Sequence, residues 1–147
     1  MAQTVIRHNI ALSARSTNPE PALGSGLNSL ASASSATSAA ISNDASTEGD
    51  LLADAELVLG SITPTGTPYC ELYLLSSVDS ANYADAPGEL VGVFPITTGA
   101  SAKRALIRDI PVPPKDHKWA VKNVTGQTLA GSGNALNVLY HGPAVGT

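Results

Sequence analysis

The sequence predicts an all-β protein, an antiparallel β-sandwich of jelly-roll type that follows an extended N-terminal arm. The 147 residues include 13 glycines and 10 prolines, a composition that favours many turns over long helices. From residue 51 onward, short apolar runs with two-residue alternation are separated by turn residues at spacings of roughly 10 to 15 residues, which is typical of a sandwich or barrel. We therefore divide the chain into an arm, residues 1–50, and a β-sandwich domain, residues 51–147.

Six strands are expected in the domain: 55–62, 69–76, 90–96, 102–110, 117–124 and 134–141. Side chains on a strand point alternately to its two faces, so the more apolar face of each strand is expected to enter the core. In the second strand this face carries Cys70, Leu72 and Leu74. In the fifth it carries Trp119 and Val121.

The fourth strand, residues 102–110, has a less clear pattern. Strict alternation places Leu106 and Ile110 on one side of this strand, and Ala105 and Ile107 on the other. The prolines that follow cannot donate hydrogen bonds to a sheet. We therefore expect them to form a stiff, extended connection to the fifth strand.

The arm combines a Ser/Ala-rich segment with scattered large apolar residues. Residues 29–47 contain seven Ser, six Ala and two Thr, so this segment alone buries too little apolar surface to repay the entropy lost on ordering. We expect it to be extended or disordered unless something holds it. The candidate anchors of the arm on a partner are Val5, Ile6, Ile10, Leu12, Leu23, Leu27 and Leu30. An edge strand followed by a linker is the alternative interpretation.

Charge is distributed unevenly along the chain. Residues 44–89 hold nine acidic and no basic residues, whereas residues 103–122 hold six basic residues and two acidic ones. Complementary potentials set the register between subunits, so Lys103, Arg104 and Arg108 are candidates for contacts with a partner. The alternative is that these charges only solubilise two surfaces. Nucleic acid is not an expected partner, because the net charge is −4 and aromatic residues do not alternate with the basic ones.

Patterns typical of catalysis or cofactor binding are missing from the sequence. His8, His117 and His141 do not have metal-ligand spacing. The single cysteine, Cys70, falls inside an expected strand and is expected to be a buried thiol. We therefore expect a protein that is not an enzyme and has no cofactor. No apolar run reaches the roughly 18 residues of a membrane-spanning helix, and the first residues do not form a signal peptide, so we expect no membrane partner.

Several segments of the domain resemble small virion proteins encoded among the head genes of tailed bacteriophages. The resemblance covers residues 51–141 and lies in the stretches DAELVL (54–59), TPYCELYLLSSVD (67–79), NYADAP (82–87), IPVPP (110–114) and KNVTG (122–126). It implies a capsid cement or decoration protein, made in the cytoplasm of the host bacterium, that binds the phage major capsid protein on the outer surface of the head. Such a protein stabilises contacts between capsid subunits.

We also expect this chain to form a homo-oligomer, a dimer or a trimer, with the arm added as a strand to a neighbour. The alternative function is recognition. A β-sandwich module of a phage tail or fibre would bind a host receptor or glycan, here through Tyr83, Asp79 and Asp85. The two functions predict different positions in the virion, since cement proteins repeat over the head and receptor-binding modules lie at the tail.

Overall fold

The computed structural model describes residues 10–12, 15, 17–43 and 50–143 and shows a sandwich of two antiparallel sheets. The strands are β1 (Ile10–Leu12), β2 (Glu20–Leu23), β3 (Ser35–Thr37), β4 (Leu52–Ile62), β5 (Tyr69–Ser76), β6 (Glu89–Pro95), β7 (Ser101–Pro111), β8 (His117–Val124) and β9 (Ala135–Pro143). A single 3-10 turn, Ser25–Leu27, follows β2. Within the described ranges, no helix is long and apolar enough to cross a membrane.

The strand order is that of a jelly roll. Sheet A has the order β1-β9-β4-β7, with β2 also paired to β9, and sheet B has the order β3-β8-β5-β6. From β2 to β5 successive strands alternate between the sheets, β6 pairs with β5 within sheet B, and β7 to β9 then alternate again. The expected antiparallel sandwich is confirmed, and all six expected strands are present within two or three residues of their predicted bounds.

The core lies between the inner faces of the two sheets. Its fully buried side chains include Leu57 and Leu59 on β4, Cys70 and Leu72 on β5, Trp119 and Val121 on β8, and Leu136, Val138 and Tyr140 on β9. The predicted core faces of residues 69–76 and 117–124 are therefore correct. Burial raises the pKa of the Cys70 thiol to about 12, so this side chain behaves as a small apolar group.

Strand β7 departs from strict alternation. Between Ile107 and Ile110, a three-residue step on β7 faces a two-residue step on β4, and Asp109 within this bulge has a positive φ of 55°. The extra residue turns Ile110 into the core, whereas Leu106 stays 46% exposed. The expectation that Leu106 and Ile110 share a side was wrong, because a bulge shifts the alternation by one residue.

Residues 17–43 belong to the sandwich, so the expected boundary at residue 50 is corrected. Strand β2 pairs with β9 and β3 pairs with β8, which places them as early strands of the jelly roll. Leu23 and Leu27 are buried in the chain's own core, and Leu30 packs against it. These leucines therefore contribute to the core of their own chain, and the expectation that they anchor the arm on a partner is corrected.

The remaining arm residues divide into two groups. Ile10 and Leu12 lie in β1, whose backbone pairs with β9 of the same chain. Val5 and Ile6 lie outside the described residues. In the described part of the Ser/Ala-rich segment, turns lead into β3. Backbone hydrogen bonds to β8 hold the residues that follow, such as Ser38 N to Trp119 O at 2.8 Å and Ile41 N to His117 O at 2.8 Å.

A buried polar network joins the two sheets at Tyr140. The Tyr140 hydroxyl accepts a hydrogen bond from Trp119 Nε1 at 2.8 Å and lies 2.8 Å from His117 Nε2. His117 Nδ1 lies 3.2 Å from the Lys115 carbonyl oxygen, which can only accept. The proton of the neutral imidazole is therefore on Nδ1, and Tyr140 donates its own proton to Nε2.

The same tyrosine anchors the arm. The Arg15 guanidinium lies 3.9 Å from the centre of the Tyr140 ring. Arg15 also forms an ion pair with Asp50 at 2.9 Å, with both side chains 5% exposed, and donates to Asn43 Oδ1 at 3.0 Å. A buried charge is tolerated only where it is paired and hydrogen-bonded, and here the partners Asn43 and Asp50 lie near the C-terminal end of the Ser/Ala-rich segment and just beyond it.

Removing the Tyr140 hydroxyl tests the network. In Tyr140→Phe, Trp119 Nε1 and His117 Nε2 lose their partner while buried, so we expect the free energy of unfolding to fall by about 2 kcal/mol. Urea unfolding measures this change. In the control Tyr73→Phe, the lost hydroxyl donates to Glu71 at the surface, and we expect a change within about 0.5 kcal/mol. Equal losses in the two variants would contradict a special role for Tyr140.

The stability should depend on pH through His117. Burial lowers the pKa of His117 to about 4, an effect that Arg15 reinforces, while the Lys115 carbonyl and Asp116 oppose it. Unfolded histidine has a pKa of about 6.5, so the unfolded chain binds more protons between these values. The stabilisation is complete above pH 6.5 and is lost as the pH falls toward 4, by about 3 kcal/mol.

Urea unfolding at pH 7.5 and pH 4.5 measures this loss. The His117→Gln variant lacks the titrating group, and we expect it to lose less free energy over the same interval than the wild type. Carboxylates that titrate near pH 4.5 contribute to both proteins and cancel in the comparison. If wild type and variant lost the same free energy, His117 would not be the group responsible.

Candidate functional site

The candidate site is a groove on the outer face of sheet A with a volume of about 270 Å³. Its position follows from alternation, since the residues of β4, β7 and β9 that do not enter the core point to this face. The lining residues are Pro19, Asp54, Glu56, Leu106, Arg108, Asn137 and Leu139. The groove thus combines an apolar floor with several charged and amide groups.

The charges of the groove are arranged in pairs between β4 and β7. Arg104 Nη1 lies 3.1 Å from Glu56 Oε1, and Arg108 Nη1 lies 3.7 Å from Asp54 Oδ2. Asn137 Nδ2 is 3.4 Å from the second oxygen of Glu56. Each guanidinium has five N–H donors, so both arginines retain donors for a ligand, and the paired charges cancel.

These pairs show how the acidic and basic segments of the sequence are used in the fold. Because β4 and β7 are antiparallel neighbours, residues of the two segments pair within one chain, whereas the sequence predicts either a contact between copies or two separately solvated surfaces. Arg104 and Arg108 are exposed, 70% and 69% of their side chains, and can still contact a ligand or partner. Surface pairs of this kind contribute little to stability.

Lys103 is in a different environment. It is 6% exposed, and its ammonium donates to the Gly99 carbonyl at 2.7 Å and to Ser101 Oγ at 2.8 Å. The side chain therefore holds the loop between β6 and β7 and is unavailable for the partner contact expected of it. Alternation along β7 does not predict this, because the partners of the ammonium are a loop carbonyl and the hydroxyl of Ser101.

A cluster of potential metal ligands adjoins the groove. The backbone N–H of Asp109 donates to Asp54 Oδ1 at 2.9 Å, and His141 Nε2 is 3.2 Å from the same oxygen. One ligand atom from each of the three residues lies within 4.8 Å of the others. Spacing along the sequence does not predict this cluster, because the residues come from three strands and meet only through strand register and the β7 bulge.

The loop that carries Asp79 and Tyr83 is largely committed to its own structure. Asp79 Oδ1 accepts from the backbone N–H groups of Ala81 and Asn82 at 2.9 and 2.8 Å, and these bonds hold the pKa of Asp79 well below its usual range. The Lys118 ammonium lies 4.1 Å from the centre of the Tyr83 ring. One face of the ring is therefore covered, which weighs against Tyr83 as a stacking surface for a sugar.

The outer face of sheet B exposes a separate set of apolar and aromatic side chains. Tyr69 and Tyr73 of β5 point to this face, and Leu90 and Val93 of the neighbouring β6 are 51% and 44% exposed. Strand pairing places Tyr73 opposite Leu90, with Val93 opposite Glu71 between the two tyrosines. We call these four apolar and aromatic residues the sheet-B patch. It lies on the opposite side of the sandwich from the groove.

Comparisons with known proteins give distant likenesses in fold. No family model matches the chain, and no curated protein matches it. Among solved structures, a carbohydrate-binding module CBM36 in complex with calcium and xylotriose has a TM-score of 0.44 and 14% identity, covering 76% of this chain and 74% of that one.

Two further structures have similar scores. The CBM36-1 domain of a multidomain xylanase from the hindgut metagenome of Trinervitermes trinervoides has a TM-score of 0.46 and 12% identity, covering 96% of this chain and 100% of that one. A family 6 carbohydrate-binding module has a TM-score of 0.44 and 10% identity, covering 93% and 95%. Similarity at this level does not assign a ligand, so function must be argued from the groove and the sheet-B patch.

Proposed function

We propose that the protein is a non-catalytic binding module whose groove on sheet A binds a glycan. The observation that carries this proposal is the placement of a carboxylate, a guanidinium and an amide side by side above an apolar floor. Sugar hydroxyls both donate and accept hydrogen bonds. Glu56 would accept from one hydroxyl while Arg104 and Asn137 donate to its neighbours, and Leu106 and Leu139 would contact the C–H groups of the ring.

The electrostatics and size of the groove narrow the ligand class. Its two carboxylates are paired with two guanidinium groups, so the groove has no net charge and favours an uncharged sugar over an anionic one. Its volume of about 270 Å³ is slightly below the usual range of about 300 to 1,000 Å³ for small-molecule sites. This size fits a short segment of a glycan and modest affinity.

A glycan array followed by titration with the best-bound glycan tests this function. In Glu56→Ala, we expect the affinity to fall at least tenfold, because a hydrogen bond to a charged group contributes about 1.5 to 3 kcal/mol. The matched control is Glu71→Ala. Glu71 is also an outward-facing carboxylate paired with a cation, Lys122 at 3.5 Å, but it lies on sheet B. Failure of the array to detect any glycan, or unchanged affinity in Glu56→Ala, would refute the proposal.

The second candidate function is capsid decoration, to which the sequence resemblance points. The observation that favours it is the sheet-B patch, because exposed apolar patches with tyrosines are typical of protein–protein interfaces. A phage major capsid protein or a second copy of this chain would be the partner. The patch and the groove lie on opposite faces, so one chain is able to use both.

Two matched substitutions separate the functions. Val93 and Leu106 are 44% and 46% exposed and lie on opposite outer faces, so lysine at either position places a charge on one surface at similar cost in stability. We expect Val93→Lys to reduce cosedimentation with empty phage heads at least tenfold and to leave glycan binding intact. Leu106→Lys is expected to do the reverse. If both variants bound heads as the wild type does, the sheet-B patch would not be the capsid contact.

A further inference from the structure

We infer that the groove on sheet A takes a linear oligosaccharide that crosses the strands, with at least two consecutive sugars in contact with the protein. This inference rests on the proposed glycan function and names the form of the glycan. It comes from strand register, because the pairing of β4 with β7 and β9 arranges the lining residues in two rows. The rows show in which direction the groove runs.

The first row crosses three strands. Asn137 of β9 and Leu106 of β7 are the direct partners of Glu56 on β4, and directly opposite residues of antiparallel strands share one face. The three side chains therefore stand side by side on the outer face of the sheet. An amide, a carboxylate and an apolar group follow one another across it.

The second row lies two residues away along β4. Leu139 of β9 is the direct partner of Asp54, and Arg108 Nη1 lies 3.7 Å from Asp54 Oδ2 on the β7 side. Beyond Leu139 the row continues to Pro19, because the register between β2 and β9 places the residue that precedes β2 beside Leu139. This row is apolar at the β2 end and charged at the β7 end.

The two rows make the groove about twice as long across the strands as along them. Adjacent strands are about 4.8 Å apart, so the three spacings from Pro19 to Arg108 span about 14 Å, whereas the rows are only about 7 Å apart along each strand. A single sugar ring is shorter than the longer dimension. A chain of sugars fills the groove lengthwise only when it crosses the strands.

The positions along the groove differ in chemistry. In the middle, Glu56 and Asp54 each have two carboxylate oxygens with about four lone-pair sites, so they accept from sugar hydroxyls in addition to their present partners. At the β2 end, Pro19 and Leu139 offer an apolar surface for the C–H face of a ring. One sugar therefore lies between the carboxylates, and the next packs on Pro19 and Leu139.

The β2 end is held in place before any glycan binds. The Asn18 side chain donates from Nδ2 to the Tyr140 carbonyl at 3.0 Å and accepts from the Tyr140 backbone N–H at Oδ1 at 3.0 Å. These two bonds fix the residue before Pro19 to β9. A surface that is already ordered costs less entropy when a ligand binds it, so the second sugar adds to the affinity.

Titration with fragments of different length tests the number of sugars. The probes are the one-, two- and three-ring fragments of the neutral glycan that binds best on the array. We expect the affinity to rise at least about tenfold from the one-ring to the two-ring fragment, because the second ring covers apolar surface. Equal affinities would overturn this inference and leave the glycan function standing. An array without any bound glycan would overturn both.

A substitution at the β2 end tests where the second sugar lies. In Leu139→Ala we expect the gain in affinity from the second ring to be largely lost, while the one-ring fragment binds as it does to the wild type. The control Leu90→Ala shortens an exposed leucine on sheet B and should keep the full gain. If Leu139→Ala weakened both fragments equally or neither of them, the second sugar would not lie on Leu139.

A nitrogen-15 NMR titration of the wild type tests the direction of the chain without any substitution. With the three-ring fragment, we expect the backbone amide resonances to move along the second row, from Leu139 through Asp54 to Arg108. A glycan that lay along the strands would instead move the resonances of Leu52 and Val58 on β4 more than those of Leu139 and Arg108. That pattern would overturn the crossing orientation.

Discussion

The hydroxyl of Tyr140 is the group on which the arrangement of this sandwich depends. It joins β9 in sheet A to Trp119 and His117 in sheet B, and its ring carries the Arg15 guanidinium. A buried polar network is favourable only when every member has its partner, so the network allows one packing of the two sheets. Because side chains alternate along a strand, an inward Tyr140 places Leu139 and His141 on the other side of β9, where the groove and the carboxylate–imidazole cluster lie.

The bulge in β7 is the second constraint on the functional surface. It turns Ile110 into the core and gives Asp109 a positive φ, which directs the Asp109 N–H toward Asp54. A regular β7 would not bring these two aspartates together in this way. The same strand supplies Arg108 to the groove and Arg104 to its edge, where Arg104 pairs with Glu56. Bulges commonly redirect side chains next to binding sites. Here the bulge places Ile110 in the core and the backbone N–H of Asp109 beside Asp54.

The strands could be predicted where their two faces differ in polarity. Residues 69–76 and 117–124 matched β5 and β8 to the residue, because each has a buried apolar face. β1 lies within the possible edge strand of the arm and pairs with β9 of its own chain. The short strands β2 and β3 carry no such signal, since they are held by backbone pairing with β9 and β8, which are distant in sequence. The cluster that adjoins the groove was hidden for the same reason. Asp54, Asp109 and His141 meet only through strand register and a bulge, neither of which local sequence reveals.

The two outer faces of the sandwich differ in how their charged residues are paired and in how much apolar surface they expose. On sheet A, the basic residues of β7 neutralise the acidic residues of β4, so this face offers paired polar groups that suit the hydroxyls of a small ligand. On sheet B, Glu71 and Lys122 form one pair, and Leu90 and Val93 remain exposed. Removing apolar surface from water is favourable, and near 25 °C the gain is mainly in the entropy of the solvent. The proposed protein contact therefore lies on sheet B, on the opposite side of the sandwich from the groove of sheet A.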